Sequence, residues 1–211
     1  MTLRLYYHPL SSYSWKVLIA LYENATPFEP VVVDETTGDE LARIWPIGKF
    51  PVLIDRGENV PESSAIIDYL DRYHPGAVRF TPADPDLAWR VRLRDRFFDL
   101  HIHEWMGRIV VDRIRPAGSK DPFGVAEAHD RLARAYPLVE AKAGRHAWAC
   151  GDDFGLADCA AAPALYYANK VRPFGPESPA TRAYLDRLIA RPSFARVLQE
   201  AEPYLHLFPQ A

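Results

Sequence analysis

The sequence predicts two structural units, an α/β half followed by an all-α half. Short apolar runs of the strand type occur only before residue 62 of the 211-residue chain. Beyond residue 86, apolar residues recur at helical spacing. The intervening segment HPGAVRFTPADPD is rich in proline and is typical of a linker. These observations divide the chain into residues 1–76, a linker at 77–86, and residues 87–211.

The first half opens with a βαβ pattern. The run LRLYY predicts a strand, residues 12–23 predict a helix with its apolar side toward a core, and FEPVVVD predicts a second strand. A strand, a helix and a strand in so short a segment favour parallel strands with a right-handed crossover.

A short helix over residues 38–44 is expected next. KFPVLID and RGENV then predict an antiparallel hairpin with its turn at Arg56 and Gly57. The stretch SAIIDYLDRYH has apolar residues at helical spacing and predicts a third helix. The predicted order of the α/β half is therefore βαβ-α-ββα.

The second half predicts helices and no convincing strand. An amphipathic pattern runs from residue 87 to residue 115, and Gly107 suggests a bend within it. Further helices are expected over residues 125–143, 156–170 and 179–198.

Composition excludes several classes of function. The net charge of -3 lacks the basic excess that binding to nucleic acid requires. Two cysteines without a CxxC spacing indicate neither a disulfide framework nor a structural zinc site, which fits the cytoplasm. We also expect no signal peptide and no membrane span. Asp99, His101 and His103 do not form a convincing metal site, because the two histidines diverge on a helix.

Three serines follow the first strand in HPLSSYSWKV. Ser11, Ser12 and Ser14 lie where a helix begins, and unpaired backbone N–H groups there favour an anion. A thiolate would be stabilised at such a position, and a hydroxyl could donate one more hydrogen bond. From the residues alone, a simple serine N-cap is the favoured interpretation.

Two further motifs contain candidate binding residues. In KFPVL, Pro51 opens a strand, and a cis bond there would expose the backbone of Phe50 to a ligand. In VPESSAII, Glu62 and Ser63 begin a helix, where they cap it or receive the ammonium and carboxylate of an amino acid headgroup.

The order HPLSSYSWKV, KFPVL and VPESSAII, on this predicted architecture, resembles the cytosolic glutathione transferases over essentially the whole chain. The first motif is similar to that of the serine-type zeta class, the maleylacetoacetate isomerases. The resemblance implies a thioredoxin-like N-terminal domain that binds glutathione as co-substrate, without a metal. It also implies a homodimer and a small, apolar electrophile as second substrate.

The family's functional residues are carried over to this chain by the same resemblance. Ser11 matches the thiolate donor, with Ser12 as its neighbour and substitute, whereas Tyr7 matches the donor of tyrosine-type members. Pro51 matches the cis-proline, with Phe50 pairing with the cysteinyl part of glutathione through its main chain. Glu62 and Ser63 match the residues that hold the γ-glutamyl end, and Lys49 is placed to meet the glycyl carboxylate.

Three positions depart from the family pattern. One of them is Phe50, which replaces the more usual valine before the proline but leaves the implied main-chain contact intact. Tyr13 stands where the zeta motif has cysteine, which weakens the assignment as a maleylacetoacetate isomerase. Gly155 stands where the helix-capping box before Asp158 has serine or threonine. Glutathione conjugation is the leading prediction. Cis–trans isomerisation and a binding protein without turnover are the alternatives.

Overall fold

The computed structural model describes residues 3–210, and its first half has the predicted order of elements. The elements are β1 (Leu3–Tyr7), α1 (Ser12–Glu23), β2 (Phe28–Val32), α2 (Gly38–Ile44), β3 (Val52–Asp55), β4 (Glu58–Pro61) and α3 (Ser63–Tyr73). The α/β architecture predicted for this half is confirmed.

The four strands form one mixed sheet in the order β2-β1-β3-β4. β1 runs parallel to β2, with Leu3 opposite Phe28, whereas β3 runs antiparallel to both β1 and β4. The hairpin of β3 and β4 turns at Arg56 and Gly57, both of which have positive φ. This is the thioredoxin-like sheet that the family resemblance implies.

Side chains alternate between the two faces of β1, as the pleat of a strand requires. Tyr6 is fully buried with Leu41 and Val52 on one face, and its hydroxyl donates to Glu40 at 2.6 Å. Tyr7 is half-buried and packs against the main core on the other face.

The second half contains six α-helices within the described residues. They are α4 (Pro85–Phe97), α5 (Glu104–Ile114), α6 (Pro122–Ala143), α7 (Leu156–Val171), α8 (Pro179–Ile189) and α9 (Pro192–Ala201). A π-helix (Phe98–His103) joins α4 to α5, and two 3₁₀ segments cover Ala117–Ser119 and Glu202–Leu207. No strand longer than an isolated bridge follows β4 in the described part of the chain.

Two predicted details of these helices are wrong. The long helix of residues 87–115 is irregular at the π-helix and not at Gly107, which lies within α5. The helix predicted over residues 179–198 is two helices, because Pro192 has no N–H to continue the first and begins the second. The 77–86 linker remains a prediction, although α4 already begins at Pro85.

Helix α1 joins the two halves. Its residues Ser14 to Leu21 are all buried. Trp15 stacks on Tyr167 of α7 with ring centroids 4.6 Å apart, and Tyr167 donates a hydrogen bond to the carbonyl oxygen of Leu10. At its C-terminal end, Glu23 accepts two hydrogen bonds from the guanidinium of Arg191.

The close packing at the beginning of α7 explains why the N-cap residue of this helix, Gly155, is a glycine. Asp158 accepts a hydrogen bond from the backbone N–H of Gly155 at 3.0 Å, so its half of the capping box is made, whereas glycine supplies no side-chain acceptor. A Cβ at position 155 would lie 2.9 Å from the carbonyl oxygen of Phe80. That oxygen already accepts from Leu156, so the close approach leaves no space for a larger residue.

Both cysteines are free thiols, Cys150 exposed and Cys159 buried. Within residues 3–210, none of the helices combines the length and the apolar composition needed to cross a bilayer.

Candidate active site

A cavity of about 190 Å³ brings five of the predicted site residues together. The five are Lys49, Phe50, Pro51, Glu62 and Ser63. They come from the loop before β3 and from the beginning of α3, which the antiparallel pairing of β3 and β4 places side by side. The other lining residues are Tyr13, Trp45, Arg96, Asp99 and Leu100.

We call this cavity the β3–α3 cavity. Local backbone geometry positions the residues that line it. The Phe50–Pro51 peptide bond is cis, as the family resemblance implies. Pro51 is buried, and the ring of Phe50 stacks on His8 with centroids 5.9 Å apart. Glu62 has φ of 69° immediately before α3. A positive φ on a non-glycine residue is uncommon and concentrates at functional sites.

A second cavity of about 460 Å³ adjoins the first at the beginning of α1. It lies between α1 and α5, and we call it the α1–α5 cavity. Of the three candidate thiolate donors, Ser11, Ser12 and Tyr7, only Ser12 lines this cavity. Both arginines that line it are paired, Arg108 with Glu104 at 3.0 Å and Arg115 with Asp112 at 3.5 Å.

Ser11 is the N-cap of α1 and lines neither cavity. Its Oγ accepts a hydrogen bond from the backbone N–H of Ser14 at 3.2 Å. This is the capping role predicted from the residues alone. The bond uses a lone pair of Ser11, so its O–H remains available to donate to a ligand.

Tyr7 also lies outside the lining of both cavities. Its side chain packs on the main core. Burial raises the pKa of Tyr7, and the charge of Glu200 and the neighbouring Tyr204 raise it further. A phenol with a raised pKa is a weaker donor to a thiolate than an ordinary tyrosine.

A buried ionic cluster lies behind the β3–α3 cavity and was not predicted from the sequence. The Nζ of Lys16 is 2.5 Å from Asp95 and 2.9 Å from Asp99, and it donates to Ser64 at 2.8 Å. Arg96 donates to Asp99 at 2.8 Å from the solvent side. The available signal was a lysine in the otherwise apolar run WKVLIAL, on the side that faces the core.

Electrostatics within the cluster keep Asp99 ionised. Burial alone would raise the pKa of Asp99, but the contact with His103 and the charge of Lys16 lower it to about 2. Burial lowers the pKa of His103, so this imidazole is neutral. Within residues 3–210, no group of three metal-ligating side chains is present.

Two family models and several known proteins match this chain. A family model for the glutathione S-transferase N-terminal domain matches residues 5–77, and one for the C-terminal domain matches residues 102–192. "Glutathione S-transferase 3" of Zea mays is 31% identical over 207 residues, with 93% of each chain covered. A "Probable maleylacetoacetate isomerase" of Caenorhabditis elegans is 30% identical, with 79% of this chain and 78% of the relative covered.

Among solved structures, a glutathione S-transferase from Methylobacterium radiotolerans superposes with a TM-score of 0.80 and 30% identity. The superposition covers 93% of this chain and 94% of that chain. That structure is a complex with glutathione sulfonate.

Proposed function

This chain belongs to the glutathione S-transferase family, and from that premise we propose that it is an active glutathione transferase. In this proposal it conjugates the thiolate of glutathione to a small, apolar electrophile. The observation that carries it is the convergence of Lys49, Phe50, Pro51, Glu62 and Ser63 on the β3–α3 cavity, next to the beginning of α1.

The β3–α3 cavity suits the peptide part of glutathione. Glu62 would pair with the γ-glutamyl ammonium, and the beginning of α3 at Ser63 would receive the adjacent carboxylate. The main chain of Phe50 would bond to the cysteinyl part. Lys49 would meet the glycyl carboxylate at the other end.

The thiol would then lie at the beginning of α1. The helix dipole and the unpaired backbone N–H groups there favour the thiolate over the thiol. Ser11 is the first candidate for the additional hydrogen bond, with Ser12 next and Tyr7 third. Catalysis would consist mainly of positioning the reactants and stabilising the nucleophile.

Calorimetric titration with glutathione, followed by an assay with a nitroaryl chloride, tests the proposal. Saturable binding and enzyme-dependent loss of free thiol are the expected results. Binding without turnover over a wide panel of electrophiles would instead assign a glutathione-binding protein. The absence of binding at millimolar glutathione would overturn both assignments.

Glutathione-dependent cis–trans isomerisation is a second candidate. It is favoured by the SSxSW pattern at residues 11–15 and by the 30% identity with a protein named as a probable maleylacetoacetate isomerase. An isomerase regenerates glutathione, whereas conjugation consumes it. Measuring free thiol after complete conversion of a cis enone acid therefore separates the two reactions.

We also propose that the protein is a cytoplasmic homodimer. Trp89, Leu93 and Leu100 lie at spacings that place them on one side of the α4 and π-helix segment, and each is about half-exposed. An apolar strip of this kind is typical of a protein interface.

A further inference from the structure

Gly107 lies within a helix, where glycine is unfavourable. It is the fourth of the 11 residues of α5, and the helix continues through it. A glycine in the interior of a helix loses more backbone freedom on folding than alanine does, so it lowers stability. Because α5 has no break at this residue, a bend does not explain the glycine.

Neither the backbone nor the packing requires a glycine at position 107. Its φ is not positive, so other residues can adopt the same conformation. Apart from the chain neighbours and the backbone of α5, no atom of residues 3–210 would lie within 4 Å of a Cβ at this position. At Gly124, by contrast, a Cβ would collide with the carboxylate of Asp121, which accepts the Gly124 N–H at the beginning of α6.

The space beside Gly107 belongs to the α1–α5 cavity. His103, Gly107 and Val111 follow one another at i,i+4 spacing, and all three line this cavity. The row runs from a residue that is 2% exposed, His103, to one that is 48% exposed, Val111. Gly107 therefore leaves a gap in the middle of an uncharged row that leads from the protein interior to the opening of the cavity.

The gap faces the beginning of α1. Ser12 and Tyr13 line the cavity from that side, and the ring of Tyr13 stacks on His103 with centroids 4.1 Å apart. The wall next to the gap is thus flat and aromatic, which suits a planar ring. The cavity volume of about 460 Å³ lies within the range of about 300–1,000 Å³ for pockets that hold drug-sized molecules.

Resting on the proposed transferase function, we propose that Gly107 determines the size of the electrophile that this protein accepts. The favoured class is an arylmethyl halide with two fused aromatic rings. Its reactive carbon would face the thiolate at the beginning of α1, and its outer ring would lie against the backbone of α5 at Gly107.

The reaction balances without any further reagent. The thiolate sulfur forms a bond to the arylmethyl carbon, and the carbon–halogen bond breaks with its electron pair leaving on the halide. The thiol proton passes to water. The products are one thioether and one hydrogen halide.

The test compares the wild type with Gly107→Ala and Gly107→Leu. The substrates are benzyl chloride and 2-(chloromethyl)naphthalene, which have the same reactive group and differ by one fused ring. Their conjugates, S-benzylglutathione and S-(2-naphthylmethyl)glutathione, serve as ligands in calorimetric titration. Binding of the conjugates measures the available space independently of turnover.

We expect Gly107→Leu to weaken binding of the naphthylmethyl conjugate about 10-fold or more, the effect of an extra methylene in an apolar pocket. The value of kcat/KM for the naphthylmethyl chloride should fall by a similar factor. Binding of glutathione and of the benzyl conjugate should remain unchanged. Gly107→Ala should raise the melting temperature, because a methyl group has room and the unfolded chain has less freedom.

Gly38→Leu is the matched control. Gly38 begins α2, a Cβ there also meets no atom of the described residues outside its own surroundings, and it is not among the residues that line the two cavities. This variant should bind both conjugates as the wild type does.

Four outcomes would overturn the proposal. Equal losses for both conjugates in the two Gly107 variants would show that the position does not select by size. Unchanged binding in Gly107→Leu would show that the outer ring does not reach α5. A lowered melting temperature of Gly107→Ala would assign the glycine to folding. Turnover of benzyl chloride but not of the naphthylmethyl chloride by the wild type would exclude the substrate class. A wild type that does not bind glutathione would instead contradict the proposed transferase function itself.

Discussion

The Nζ of Lys16 lies 2.5 Å from the Oδ1 of Asp95, with both side chains almost completely removed from solvent. Lys16 belongs to α1 of the sheet-containing half, and Asp95 belongs to α4 of the helical half. Asp99 and Ser64 complete the surroundings of the ammonium group. The buried ammonium group of Lys16 is thus surrounded by two carboxylates and a hydroxyl, with hydrogen bonds to Asp99 and Ser64 and an ion pair with Asp95.

Replacing Lys16 with methionine should destabilise the protein by about 3–5 kcal/mol, because Asp95 and Asp99 would remain buried without their cation. Denaturant unfolding measures the change. The double variant Lys16→Met/Asp95→Asn should lose less than the sum of the two single variants, since the partners interact directly. Additive losses would show that the pair is not coupled.

Ser11→Ala should raise the pKa of bound glutathione by about one unit and lower its thiolate fraction near neutral pH about tenfold. The same change removes the α1 cap and costs about 1 kcal/mol of stability. Ser11→Thr keeps a capping hydroxyl and serves as the control. If Ser11→Ala, Ser12→Ala and Tyr7→Phe all leave the pH profile of conjugation unchanged, these assignments of the thiolate donor are wrong.

Glu62→Gln should weaken glutathione binding about 10- to 100-fold, because a neutral amide replaces a charged partner of the ammonium group. Calorimetric titration gives the dissociation constants. Glu58→Gln removes an exposed carboxylate from the neighbouring strand β4 and should leave affinity unchanged. Similar affinities of both variants for glutathione would show that Glu62 does not contribute to glutathione binding.

Leu93→Glu should dissociate the proposed dimer, because it places a carboxylate in the apolar strip of α4. Sedimentation equilibrium would then give a mass near the 23.9 kDa of one chain. Leu138→Glu on α6 is matched in exposure, since both leucines are 55% exposed, and should remain dimeric. A monomeric wild type would contradict the interface directly.

Burial raises the pKa of Asp158 to about 6, although Tyr184 and two backbone N–H groups donate hydrogen bonds to it. Because the folded pKa exceeds the usual 3.8, protonation of Asp158 favours the folded state. This stabilisation is complete below pH 3.8 and is lost as the pH rises through 6.

Asp158→Asn does not titrate and isolates this contribution. The free energy of unfolding of the wild type minus that of the variant should therefore be larger at pH 4 than at pH 7. Other groups titrate in both proteins and cancel in the difference. A difference that is independent of pH would show that the Asp158 pKa is unperturbed.

The sequence predicts the first half closely, because its signals are local. The bounds of β1, α1 and α2 agree with the predicted ones, since alternation, caps and turn residues lie within each element. The second half is predicted less well. No local pattern distinguishes the π-helix of residues 98–103 from a continuous helix. Pro192 is the one residue in the sequence that marks the break between α8 and α9.

The site was predictable only as separate motifs. KFPVL and VPESSAII contain five of the ten residues that line the β3–α3 cavity, but the convergence of the two motifs depends on the pairing of β3 with β4. Lys16 and Asp99 are 83 positions apart, so nothing in either neighbourhood indicates their contact. The position of Tyr13 between two cavities likewise depends on the packing of α1 against both halves.

The contacts of helix α1 restrict how the two halves of this protein can be combined with halves of its relatives. Its side chains belong to one core that continues into the helical half, and they contact that half through Trp15 on Tyr167, Lys16 on Asp95 and Glu23 on Arg191. A chimera that joined residues 1–76 to the helical half of a relative would have to match all three contacts. The two halves are therefore separate segments of the sequence, but one half cannot be replaced by that of a relative without changing these contacts. Substitutions at the contacting positions of the two halves are expected to occur together in evolution.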